Sequence, residues 1–215
     1  MNFNRQPSIA QALLQIKAVG FSPLKPITFK SGLRSPVYVD NRRLPFHPAQ
    51  WQTVLHGFRA LIEEKDLAFD ALAGIAVGGV PHSSALGYIL HKPSLFIRKE
   101  SKGYGQQKMI EGGDVKGLRV LLVEDLVTTG SSALVGVEAL RAEGAIVTDI
   151  LSIVTYGFAE AEIAFANAHV TLHTLVPFRK ILAEALALGQ FDAAQAAVIE
   201  DWFTQPQGWA ERHQL

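Results

Sequence analysis

Apolar residues recur along this chain in two rhythms. Over residues 48–65, Trp51, Leu55, Phe58 and Ile62 fall three or four positions apart, the spacing of one helix face. Later the periodicity gives way to short continuous apolar runs at 71–77, 94–98, 118–123, 146–154 and 170–176. A run without alternation is what a strand shows when both its faces are covered, as in a parallel sheet between helices. Helical stretches over 80–90, 131–143 and 158–167 separate the runs, and Gly144 closes the second. A first helix is expected from Ser8, an N-cap after Pro7, to Gly20. Two short β-like pieces are expected over 27–39, around Lys30-Ser31-Gly32, and a polar loop over 99–116. Two helices should follow residue 176, with Asp192 as an N-cap. The pattern predicts an α/β fold: a central, mostly parallel sheet flanked by helices, in a single domain over 1–215 with its core at 68–176.

In such sheets ligands gather where the strands end. The residues to read there are Gly78-Gly79, Arg98-Lys99, Glu124-Asp125 and Thr155-Tyr156. The most informative segment is Val120-Leu121-Leu122-Val123-Glu124-Asp125-Leu126-Val127-Thr128-Thr129-Gly130-Ser131-Ser132. A buried strand emerges at two carboxylates and a Thr/Gly/Ser loop then opens a helix. Free N–H groups and hydroxyls of that loop form an anion site. Carboxylates repel phosphate, so the acidic pair must face another part of the same ligand, and sugar hydroxyls or a hydrated Mg²⁺ suit them. A phosphorylated ribose meets both halves of the motif. The blander account makes Ser131 or Ser132 a helix cap and the acids a solvated strand end; it leaves Thr128-Thr129-Gly130 unexplained. A phosphoreceiver domain would need an aspartate on the later strand at 170–176, which has none, and a Walker loop is absent.

Arg98, Lys99, Lys102 and Lys108 place four cations within eleven residues, among Gly103, Gly105, Gly112 and Gly113. This is either a solvated loop or a cationic flap suited to a leaving pyrophosphate. Gly78-Gly79 is either a second anion loop or a tight strand-to-helix turn. His169 and His173 lack a third ligand nearby and read as ordinary strand residues rather than a zinc site. Trp202, Phe203 and Trp209 read as core or dimer packing.

Charge narrows the classes further. Twenty basic residues balance twenty acidic ones, which argues against a nucleic-acid partner. Without cysteine there is no disulfide, thiolate nucleophile or Cys-ligated zinc. The first residues lack an apolar leader, and the most apolar stretch, at 71–80, is too short to span a bilayer, so a cytoplasmic protein with no membrane partner is expected.

The 120–132 segment resembles the phosphoribosyl-pyrophosphate signature of type I phosphoribosyltransferases. Within that family, Phe29-Lys30-Ser31-Gly32-Leu33-Arg34-Ser35-Pro36-Val37-Tyr38-Val39-Asp40-Asn41-Arg42 and Arg98-Lys99-Glu100-Ser101-Lys102-Gly103-Tyr104-Gly105, followed by Glu111-Gly112, are similar to the orotate enzymes. The resemblance covers roughly residues 8–157. It implies a small N-terminal hood over 1–45 and transfer of phosphoribose to orotate in pyrimidine biosynthesis. Mg²⁺ would be carried by the donor rather than held directly by protein ligands, and homodimers would share active sites. It implies that Lys102, Glu124 and Asp125 are catalytic. Arg98, Lys99, Lys102, Tyr104, Glu124, Asp125 and residues Leu126, Val127, Thr128, Thr129, Gly130, Ser131 and Ser132 would bind the donor. Lys30, Thr128, Tyr156 and Arg42 would serve the base; the cations available to the orotate carboxylate are Lys30, Arg34, Arg42 and Arg43, with Arg42 either pairing with that carboxylate or bracing Asp40 or Glu124. Tyr104 stands where the family commonly has histidine, Gly78 where some members have lysine, and Thr155-Tyr156-Gly157 where many have a carboxylate-binding arginine. Another base phosphoribosyltransferase, or a non-catalytic nucleotide-sensing regulator of the same fold, remains as an alternative.

Overall fold

The computed structural model describes residues 5–28, 32–98 and 109–215. Six strands form the central sheet, in the order β10-β9-β8-β5-β6-β7. They are β5 (Ala71–Ile75), β6 (Ser94–Ile97), β7 (Ile110–Glu111), β8 (Val120–Val127), β9 (Asp149–Thr155) and β10 (Thr171–Pro177). All pairings are parallel except that of β7 with β6 at the edge.

Both faces are covered, which is why the strand sequences do not alternate. Leu121 and Val123 pack on one side with α1 (Arg5–Gln15), α2 (Pro48–Glu64), α6 (Phe178–Ala187) and α7 (Ala193–Thr204). Val120 and Leu122 pack on the other with α4 (Ser131–Ala142) and α5 (Ala159–Asn167). In α2 the buried face includes Leu55, Phe58 and Ile62, as its periodicity predicts. Asp192 caps α7 with a full capping box, its carboxylate accepting from the Gln195 N–H at 2.8 Å.

Several expected boundaries change. The first helix runs from Arg5 to Gln15, so Ser8 lies within it rather than capping it, and Lys17 takes a left-handed conformation. Residues Val19–Phe21 form a strand, β1, antiparallel to β4 (Val37–Val39). Gly20 is therefore a strand residue, not a helix stop: a Cβ there would lie 1.9 Å from the Tyr38 ring that crosses it. With the small ribbon of β2 (Ile27–Thr28) and β3 (Arg34–Ser35), this pair forms the hood. The expected 99–116 loop contains β7. Strand β9 starts at Asp149 rather than 146, Ile146 contributing only an isolated bridge to Arg119. A third, short C-terminal helix, α8 (Trp209–Arg212), follows α7.

Candidate active site

The strand carrying the acidic pair does not end before it. β8 runs to Val127, because β9 continues beside it, pairing Leu126 with Val154 and Val127 with Thr155. On its other side β5 pairs only as far as Val123 and then turns away through residues 76–78, which contain a cis Ala76–Val77 peptide bond. From β5 the chain passes through α3 (Gly79–Leu90) to β6 on one side. From β8 it passes through α4 to β9 on the other. Strand order thus reverses between β5 and β8, the place where an open α/β sheet forms its crevice.

Glu124 and Asp125 sit at that crevice. As neighbours on a strand they point to opposite faces. Glu124, only 7% exposed, borders a small hollow with Thr128, Gly130, Ser131 and Ser132. Asp125 lies against the 76–78 loop, so close to Gly78 that a Cβ there would meet its carboxylate at 2.2–2.3 Å. A Cβ on Gly79 would meet the Val123 carbonyl oxygen at 2.3 Å. The glycine pair thus lets the loop close onto the end of β8. From the hood side, Asn41, fully buried, donates its Nδ2 to the Asp125 carbonyl oxygen at 2.6 Å.

The loop after β8 turns through Gly130, whose φ of +81° needs a residue without a Cβ; one would also strike the Phe165 ring at 2.7 Å. Gly130 is the N-cap of α4, with no side-chain capping bond. Ser131 and Ser132 are therefore not consumed as caps; Ser131 Oγ lies 3.2 Å from Thr129 Oγ1. The open N–H groups of the first turn, with these hydroxyls, suit a phosphate.

Arg98 shares a cavity of about 240 Å³ with Ser131 and Ser132. Its Nη1 donates to Glu111 Oε1 at 2.8 Å across the β6–β7 edge, a partner the polar-loop reading of 99–116 did not supply. Lys30, Lys99, Lys102 and Tyr104 lie outside the described residues.

A larger cleft, of about 930 Å³, opens beside Thr128 and Thr129. Leu33 and Arg34 bound it from the hood, residues 156–160 from the end of β9, and Trp202, Phe203 and Trp209 from the C-terminal helices. Tyr156 is almost wholly buried, its ring set edge-on to Phe178, Trp202 and Phe203. Burial raises its phenol pKa above the ordinary value. Arg42 does not border this cleft; its Nε donates to Asp40 at 2.6 Å, so the bracing alternative describes its position here. The C-terminal wall was not legible as site: its aromatic residues read as packing, which they also do, and nothing local ties them to residues 128–129. His173 pairs with Asp149 at 2.7 Å between adjacent strands. Among the described residues no group of three His, Cys, Asp or Glu side chains is gathered for a metal.

Comparison with known proteins agrees with this geometry. Residues 49–162 match the model of the phosphoribosyl transferase domain. An orotate phosphoribosyltransferase from Coxiella burnetii is 36% identical over 96% of this chain and 99% of its own length. One from Cereibacter sphaeroides is 41% identical over 94% and 88%. Among solved structures, the orotate phosphoribosyltransferase of Aeropyrum pernix superposes with a TM-score of 0.73, at 33% identity over 86% of this chain and 99% of that one. The UMP synthase of Leishmania donovani gives 0.80 at 27% identity, and this chain spans 42% of that longer polypeptide.

Proposed function

The chain belongs to the orotate phosphoribosyltransferase family, and from this we infer that it moves the phosphoribosyl group of phosphoribosyl pyrophosphate onto orotate. The bond from the ribose anomeric carbon to the pyrophosphate oxygen breaks. A bond from that carbon to a ring nitrogen of orotate forms, giving orotidine 5′-monophosphate and pyrophosphate. The observation that carries this reading is the crevice at the β5–β8 strand reversal, where two carboxylates and an uncapped helix start meet beside a cleft large enough for a base.

In this reading Thr128 to Ser132 hold the 5′-phosphate, with Leu126 and Val127 setting the loop's start. Asp125 and Glu124 flank the ribose, and their negative field favours the cationic, oxocarbenium-like sugar of the transition state. No side chain is needed as a covalent nucleophile. Arg98, from the cavity it shares with Ser131 and Ser132, faces the pyrophosphate, joined by Lys99, Lys102 and Tyr104 of the following segment. Lys30 and Thr128 serve the base, and Tyr156 forms a wall of its cleft.

Mg²⁺ fits this donor set. An ion that keeps waters and substrate oxygens suits carboxylates placed on either side of the donor, and Glu124 and Asp125, on opposite faces of β8, would each reach it only through those oxygens. When bound, it supplies neutralising charge to the leaving pyrophosphate. The active unit is a homodimer in which Lys102 serves the neighbouring site. Phe46 and Tyr88, 86% and 84% exposed, give a second copy apolar area to cover. Among the described residues no helix is long and apolar enough to cross a membrane, and phosphorylated substrates support a cytoplasmic setting. The test is stoichiometry: with donor, Mg²⁺ and orotate, pyrophosphate should appear in step with orotidine monophosphate. Pyrophosphate released without nucleotide would contradict transfer to the base.

A further inference from the structure

The base cleft carries a charge with no role so far. Among the described residues that line it, Arg34 is the one cation. The two acids beside it, Glu160 and Glu211, are exposed to solvent at its rim. Arg34 itself is half-buried. Its carbonyl oxygen accepts the indole N–H of Trp202 at 2.9 Å, and its Nη1 donates to the main-chain oxygen of Leu215, the last residue of the sequence. No acidic side chain among the described residues pairs with it. A guanidinium carries five N–H donors in a planar fork, so most of its donors remain once Leu215 is served.

Two distant parts of the chain therefore hold this arginine in place. Trp202 and Leu215 lie 168 and 181 positions away in sequence; Trp202 lines the cleft, and Leu215 follows the short helix that contributes Trp209, Ala210 and Glu211 to it. Arg42, the other hood arginine considered for the base, is tied to Asp40 outside the cleft.

A carboxylate entering a space walled by Tyr156, Phe158, Trp202 and Phe203 loses water and needs a paired charge. Arginine meets a planar carboxylate with two parallel hydrogen bonds, which a lysine cannot do. We propose that Arg34 is the specificity-determining residue for the base: its guanidinium pairs with the acidic substituent of the pyrimidine, and Trp202 and Leu215 are its positioning residues. This rests on the orotate-transfer reading and adds which group of this chain distinguishes an acidic pyrimidine from a neutral one. The C-terminal helices are then part of the base site.

The test compares Arg34→Gln, Arg34→Lys and the unmodified protein, measuring KM for orotate, KM for the donor and Ki of uracil as a competitor of orotate. Arg34→Gln should raise the orotate KM about 100-fold, the cost of removing one partner of a buried charge pair. The uracil Ki should move less than about threefold, since uracil lacks the carboxylate. The donor KM should hold, and Arg34→Lys should fall between. Trp202→Phe, which removes the indole N–H together with part of a ring that lines the cleft, should raise the orotate KM by a smaller factor than Arg34→Gln and by more than it raises the uracil Ki. An unchanged orotate KM, or equal losses for orotate and uracil, would overturn the assignment. If Arg34→Gln does not fold, the unmodified protein answers the same question. It should bind orotate far more tightly than the uncharged carboxamide of orotate, and equal binding would overturn the proposal. An unmodified protein that makes no orotidine monophosphate would instead overturn the transfer reading itself.

Discussion

The Asp125 carboxylate occupies the space that a side chain on Gly78 would need, with its carbon and both oxygens 2.2–2.3 Å from the Cβ position. Gly78 has ordinary helical angles, φ −66° and ψ −39°, so its backbone would accept any residue. Room for Asp125 is what demands glycine.

Gly78→Ala should therefore act through Asp125. The short acid can rotate away cheaply, so thermal stability should change little. Its displacement from the ribose should lower kcat on the order of 10²-fold, as misplacement of a positioned catalytic group does. Steady-state kinetics with both substrates, beside a thermal melt, check this. A stable variant of undiminished kcat would show that the Asp125 position does not matter to transfer.

The parts of this site differed in how visible they were in the sequence. The apolar run ahead of Glu124-Asp125 and the Thr128-Thr129-Gly130 loop are local, and they marked both the strand and its chemistry. The strand's true end was hidden, because Glu124 and Asp125 look like a terminus while pairing with β9 carries β8 on to Val127. Gly20 misled for a similar reason: it serves the Tyr38 ring across a strand pair, a contact between residues eighteen apart. Arg34 was visible as a cation near the hood turn, but its contacts with Trp202 and Leu215 follow no local pattern.

The proposed sharing of sites between subunits predicts complementation. Lys102→Ala and Asp125→Asn should each be folded and nearly inactive. In a subunit-exchanged mixture half the dimers pair one variant with the other, and each of these has one intact site, so about a quarter of the unmodified activity should return. No recovery in a mixture shown to exchange would place Lys102 in its own subunit's site or outside the mechanism.

A pH effect on stability follows from His82, which is fully buried in α3. Its Nδ1 accepts the indole N–H of Trp51 at 2.9 Å, so the ring is neutral with its proton on Nε2. Burial lowers its pKa from 6.5 to about 4. Below pH 6.5 the unfolded chain takes up a proton that the folded protein refuses, so stability falls as pH drops from 6.5 towards 4. This residue should account for about 3 kcal/mol of that loss by pH 4. Urea unfolding of the unmodified protein and His82→Gln at pH 7 and pH 4.5 isolates it: the variant should lose less stability over the interval. Equal losses would mean that His82 is protonated in the folded state or already neutral in the unfolded one.

We assign the 930 Å³ cleft beside Thr128 and Thr129 to orotate, the acceptor of phosphoribose. The most direct measurement is pyrophosphate release from phosphoribosyl pyrophosphate and Mg²⁺ with orotate, uracil, adenine, guanine and hypoxanthine in turn. Orotate should support turnover, with the other bases slower by at least about 10²-fold in kcat/KM. Turnover of a purine at the orotate rate, or release that no base stimulates, would mean that the cleft does not receive orotate as acceptor.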